Sequence, residues 1–222
     1  MKKTTVLLFL FAGLSSAVWA QKIRVSESRE NIGGGSHNAL TVAVYGVDAK
    51  EVEKEWKSKM KDYNAKKISD NKGEMFADNT TIKEMGNNTI DIYTRIVDKK
   101  GEVDLVVAFD LGGAFLNSSE HKDKYQIAEK ILHDFAVKIT KDAIDYQMKT
   151  QQKALEKLNG QQKDLVKENT NLNTQITDYQ AKIKKDQDAI VKNKDDQAAK
   201  QKEIAQQQQT VDELDKKAKA VE

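Results

Sequence analysis

Residues 148–222 contain no proline and a single glycine, and their large apolar side chains recur every three or four residues. With Met148 as heptad position a, the a positions carry Met148, Leu155, Gln162, Asn169, Ile176, Ile183, Ile190, Gln197, Ile204, Val211 and Ala218. The d positions carry Gln151, Leu158, Leu165, Leu172, Tyr179, Asp186, Asn193, Lys200, Gln207, Leu214 and Val221. Only Val166 and Val191, among the large aliphatics of this stretch, fall off that seam. A period of 3.5 held without a slip predicts a long helix that joins a left-handed coiled coil. A solvated charged tail would scatter its aliphatics instead.

Such a helix cannot bury its own seam. Gly160 falls at position f, on the outer face, so the register runs through it. Asn169 at a, Ile mainly at a and Leu at d favour a parallel dimer. The predicted seam residues are Leu155, Leu158, Leu165, Asn169, Leu172, Ile176, Tyr179, Ile183, Ile190, Ile204, Val211 and Leu214. Asp186, Asn193, Gln197 and Lys200 weaken one stretch, so a hairpin bent near residues 192–196 is the alternative.

The other end of the chain is different. Residues 1–20 begin with Lys2 and Lys3, continue with an apolar run from Val6 to Leu14, and end at Val18-Trp19-Ala20. The run is too short for a membrane span, and the pattern is that of a cleavable secretory signal. The sequence has no cysteine, which excludes a lipid-modified N-terminal Cys, disulfides, a thiol nucleophile and thiolate metal sites. The expected location is a bacterial periplasm or the exterior, without a membrane span. Lys2 and Lys3 are the only charges in residues 1–20. Of the chain's 37 Lys+Arg and 35 Asp+Glu, residues 21–222 therefore keep 35 of each. A neutral chain with only Arg24, Arg29 and Arg95 as arginines lacks the basic face that nucleic acid demands.

Residues 21–118 hold every glycine except Gly13 and Gly160, along with most of the β-branched residues. "KIRVSESREN" and "ALTVAVYG" read as strands joined by a turn at "GGGSH". Asp48 opens a helix with Glu51 as its capping-box partner, and Val52, Trp56, Met60 and Tyr63 form one apolar stripe. Glu53–Lys57 and Glu55–Lys59 are spaced for ion pairs on the opposite side. A Trp and a Tyr at helical spacing read as core rather than as a binding box. Lys67–Ala77, Thr80–Met85, Asn88–Asp98 and Val103–Leu111 read as strands or near-strands. A two-residue turn at Lys100-Gly101 sets Ile96 against Leu105 and Ile92 against Phe109, which gathers the large aliphatics on one face. The expected fold is α+β: a small antiparallel sheet with helix packed on one face, then the long C-terminal helix. The expected divisions are an α+β head at 21–118, a helix packing on it at 119–147 through Ala128, Leu132, Phe135, Ile139 and Ala143, and a stalk at 148–222.

The same register sets Asp91 opposite Asp110, the candidate cation ligands of this chain. Two facing carboxylates can share a proton or hold a hard cation such as calcium, but a calcium site needs about six oxygens and the others are not visible. Screening by Arg95 and nearby lysines is the plainer account. The stretch "FDLGGAFLNSSEH", Phe109 to His121, has neither the Walker nor the dinucleotide glycine pattern. Asn117 or Ser118 with Glu120 reads instead as a helix cap. His37, His121 and His133 show no ligand spacing, and no Ser lies in a nucleophile-elbow context. Asn79-Thr80-Thr81 and Asn117-Ser118-Ser119 match the glycosylation pattern by chance in a bacterial setting. No catalytic residue and no cofactor are expected.

These readings converge on a non-enzymatic interaction or scaffold protein of the cell envelope, an α+β head on a coiled-coil stalk. Its expected partner is a second copy of itself or another envelope protein. In organisation, a secretory leader with long helical arms resembles periplasmic holdase chaperones of the Skp type, which implies arms that grip unfolded clients. A head that binds a small ligand or cation is the third reading.

Overall fold

The computed structural model describes residues 22–220. The secretory signal expected at residues 1–20 and the expected d-position residue Val221 lie outside them. The chain divides into two compact units after Gln151, four residues beyond the boundary expected from the change of period. The packing stripe on the last helix fades only past Ala143, so its next two turns still belong to the first unit.

Six strands form one antiparallel sheet: β1 (Val25–Ile32), β2 (Gly35–Tyr45), β3 (Lys67–Asn71), β4 (Glu74–Thr80), β5 (Ile90–Lys99) and β6 (Glu102–Asp110). Their order across the sheet is β1-β2-β6-β5-β4-β3. Helix α1 (Ala49–Asp62) links β2 to β3, and α2 (Lys122–Lys219) follows β6. The fold is α+β with one very long C-terminal helix.

Both helices cover the same face. Val52, Trp56 and Met60 from α1 and Leu132, Phe135 and Ile139 from α2 meet Leu40, Val42, Val44, Ile92, Leu105 and Phe109 of the central strands. Trp56 is fully buried, donates its indole N–H to Thr94 Oγ1 at 2.8 Å and meets Phe135 edge-on at 5.0 Å. It belongs to the core. Asp48 caps α1 by accepting the Glu51 N–H at 2.8 Å, while the Glu51 carboxylate pairs with Lys54 at 3.1 Å. The capping box is therefore half formed. Glu53 pairs with Lys57, but Glu55 meets Lys54 at 3.5 Å rather than Lys59.

The β5–β6 register is the expected one: Lys99 pairs with Glu102 around Lys100-Gly101, Ile96 with Leu105, Ile92 with Phe109 and Asp91 with Asp110. Two segments differ from expectation. Lys67–Ala77 is two strands hinged at Lys72-Gly73, because Lys72 and Gly73 both take positive φ and reverse the chain. Past Thr80 the strand stops. Ile82 and Met85 are both buried, and a single 3₁₀ turn at Lys83–Met85 serves both, where a strand's alternation would send them to opposite faces.

The second face of the sheet is not simply solvated. Only Leu40–Tyr45 of β2 pair with β6, so the far half of the β1–β2 hairpin is free to curl across that face. Ile32 and Ala39 close over Val106 and Ala108, with Tyr93, Val97 and Phe115 at the margin. Arg95 donates to Asn31 O at 2.8 Å and pairs with Glu30 at 2.7 Å; Gly33 N–H donates to Glu74 at 3.1 Å. The parity of the strand carried the signal. Ile23 and Val25 are odd-numbered and Ile32 is even-numbered, so Ile32 must face away from the main core.

Candidate functional site

In the second unit every residue from Gln152 to Ala220 is exposed, and all of them to Lys219 are helical. Residues 152–219 extend ~100 Å at ~1.5 Å per residue. Leu155, Leu158, Leu165, Leu172, Ile176, Tyr179, Ile183, Ile190, Ile204, Val211 and Leu214 are each about half exposed, from 49% at Val211 to 63% at Tyr179. A helical side chain with no neighbour from another element keeps this exposure, because its own helix covers the rest. The helix runs unbroken through 192–196, so the hairpin bend expected there as the alternative is not formed among the described residues. Asn193, Asp195 and Asp196 are weak helix formers, but no proline or glycine stands among residues 192–196 to break the helix.

Polar side chains along α2 bond to their own helix. Thr170, Thr174 and Thr177 hydroxyls donate to carbonyls one turn back, at 3.0, 3.1 and 3.1 Å. Asn173 donates to Asn169 Oδ1 at 2.9 Å and Gln197 donates to Asn193. The polar residues that interrupt the seam are thus partly satisfied before any partner arrives. Eleven half-exposed large side chains recur at a and d, and the other exposed large apolar residues among the described ones, Ile144, Tyr146, Met148, Val166 and Val191, lie on the same helix.

Asp91 and Asp110 do stand opposite each other, but each is already engaged. Asp91 Oδ1 accepts the Asn79 N–H at 2.8 Å, where Asn79 itself takes a left-handed φ of 51°. Asp110 Oδ1 accepts the N–H groups of Gly112 and Gly113 at 2.9 and 3.3 Å. Their φ values of 87° and 141° allow that turn, and Phe115 then returns to pair with Asp110. The two glycines therefore hold a side chain of their own strand where a phosphate loop would hold a ligand. Arg95 does not screen the pair, because its guanidinium is tied to Glu30 and Asn31. Among the described residues no group of three or more His, Asp and Glu side chains is placed to hold a metal ion. The nearby Tyr93 phenol is held above its ordinary value, by burial first and then by Asp91 and Asp110.

Asn117 Oδ1 accepts the Glu120 N–H at 2.8 Å and its amide donates to the Glu120 carboxylate at 2.8 Å. This caps a separate turn ahead of α2, which begins at Lys122 rather than at residue 119. His37 stacks on Phe115 with ring centres 3.7 Å apart, beside an open cleft of about 600 Å³. The polar groups around that cleft are spent on one another: Arg29 on Ser36 O, Asn38 on Glu27, and Ser119 on Asn117. His133 is exposed beside Asp134 at 3.5 Å.

No helix of the described residues is long and apolar enough to cross a membrane. Compared with family models, curated proteins and solved structures, the chain matches none. The geometry alone carries the functional reading.

Proposed function

We propose that this chain is a non-enzymatic interaction or scaffold protein of the bacterial cell envelope, secreted by residues 1–20, in which an α+β unit is carried on a self-associating coiled-coil stalk. The observation that carries it is the exposed heptad line from Leu155 to Leu214. Fully burying one Leu, Ile or Val is worth ~1.5–3 kcal/mol, which at ~25 cal/mol/Å² corresponds to ~60–120 Å² of apolar surface. Covering eleven such side chains from half exposure removes on the order of 330 to 660 Å² of apolar surface per chain. A standard specific interface buries about 800 Å² per partner, of which a little over half, roughly 450 Å², is apolar. The seam is thus sized for a stable protein contact.

Ile183 lies between Ile176 and Ile190, the strongest apolar stretch of the seam. Ile183→Lys places facing ammonium groups there and is expected to dissociate the assembly while leaving the first unit folded. Sedimentation of residues 21–222 at micromolar concentration reads the mass of both forms. A monomeric wild type refutes self-association and transfers the seam to another occupant, of which the unfolded client of a Skp-like holdase is the first to test, by suppression of client aggregation.

A further inference from the structure

We propose that the occupant of the seam is a second copy lying parallel and in register, with the pairing starting at Ile144 inside the first unit. This rests on the self-association reading and fixes its geometry. Three observations point the same way.

The seam does not begin at the unit boundary. Ile144 occupies the d position one heptad before Gln151, and it and Met148 are 54% and 50% exposed. The stripe that packs α2 against the sheet runs through Leu132, Phe135 and Ile139. At ~100° per residue, Ile144 lies ~140° around the helix from Ile139. The first unit therefore covers one side of α2 and leaves the seam side open, so a partner helix can reach Ile144.

The flanking charges discriminate between directions. Parallel pairing in register sets each g position against the partner's e position five residues on: Glu168 against Asn173, Lys182 against Gln187, Asp196 against Gln201 and Glu203 against Gln208. At these flanking positions no like charges meet. Antiparallel pairing with the two seams aligned end to end sets Glu168 beside the partner's Glu203.

The polar layers also match. In register, Asn169 meets the partner's Asn169 at an a position. Its Oδ1 already accepts from Asn173, and its own amide N–H groups can donate across the seam. A lone Asn at a is the best-attested determinant of two-stranded parallel register. Aligning the two seams end to end in antiparallel fashion instead sets Asn193 against Ile176 and Asp186 against Ile183. Only Asp186 and Lys200 meet their own kind unfavourably in the parallel form. They fall beside Asn193 and Gln197, so the cost is confined to one weak stretch.

The chain has no cysteine, which makes the test direct. Leu158→Cys and Val211→Cys are made separately in residues 21–222, and sedimentation under reducing conditions checks that each still associates. Under mild oxidation each variant is expected to convert to a disulfide-linked homodimer, because facing d or a positions in register lie within disulfide reach. A cross-link that forms only when the two variants are mixed identifies the antiparallel form and overturns the inference while leaving self-association intact. Dimers that cross-link in neither experiment overturn it too. A wild-type monomer in sedimentation refutes the underlying reading itself.

Discussion

Trp56 is the residue through which α1, β5 and α2 are held together, and its energetics can be worked from its contacts. Its side chain is fully buried, its ring edge meets Phe135 and its N–H is bonded to Thr94, itself 2% exposed. Trp56→Ala is expected to cost about 3–5 kcal/mol as a large-to-small core truncation. Thr94→Val leaves the indole N–H buried without an acceptor, a loss of about 1–3 kcal/mol. Trp56→Phe removes the donor and part of the ring, and the double variant Trp56→Phe/Thr94→Val removes both polar partners together. Removing both is close to neutral for the polar contribution, so the double variant should be less destabilised than the two single losses added, by about 1 kcal/mol. The assay is urea unfolding followed by circular dichroism on residues 22–151, which the unit boundary predicts to fold cooperatively without the stalk. Strict additivity would refute the hydrogen bond. A loss under ~1 kcal/mol for Trp56→Ala would refute the core assignment and restore a binding role for the indole, and a fragment without a sigmoidal transition would refute the boundary.

The curled hairpin and the carboxylate-lined face give two further tests. Gly33 has φ +64° and an added Cβ would meet the rings of Phe115 and Tyr93 at 3.2 Å, whereas Gly34 at φ +79° opens to solvent. Both carry the left-handed strain of about 1 kcal/mol, so Gly33→Ala should cost clearly more than Gly34→Ala in the same urea assay; equal losses would show that the hairpin tip does not press on that face. Burial and the charges of Asp91, Asp110, Glu74 and Asp78 hold Tyr93 above its ordinary value of about 10. The stability this brings is fully present below the unfolded-state value and is lost as pH rises through the folded-state one, so unfolding free energy should fall as pH rises above about 10. Tyr93→Phe should flatten that fall without abolishing it, since Tyr45 and Tyr125 are raised by burial as well; an unchanged slope would show that Tyr93 is not coupled to folding.

The parts of the first unit that were legible in the sequence are those set by alternation and by short turns. The two-residue turn at Lys100-Gly101 was readable as the β5–β6 register down to the facing Asp91 and Asp110, because a three-residue loop ending in Gly101 would set Ile96 against Asp104. The apolar stripe of α1 was equally readable, since Val52, Trp56 and Met60 admit one helical face. What escaped was non-local. The ties of Arg95 to Glu30 and Asn31 span more than sixty residues of sequence, and only the pairing of β2 with β6 over half its length allows them. Likewise, nothing local to Asp110 announces that Gly112 and Gly113 will turn their N–H groups back onto its carboxylate. The candidate cation site was legible as a juxtaposition and illegible as a set of occupied lone pairs.

The long helix joins the two kinds of evidence. Its first turns bury Ala128, Leu132, Phe135, Ala136 and Ile139 against the sheet at the 3.6-residue period of a straight amphipathic helix. From Ile144 a second stripe rises on the other side at a period of 3.5, and between Ile139 and Met148 the two coexist. A helix that needed only to close the head could end near Ala143, where packing on the sheet fades. Seventy-six further residues, from Ile144 to Lys219, remain helical, and their large apolar side chains stay about half exposed or more. Hydrophobic surface left in this pattern is costly in water and gains nothing for the fold it extends from. The change of period, beginning where Ile144 and Met148 stand exposed, is the feature on which the proposed self-association rests.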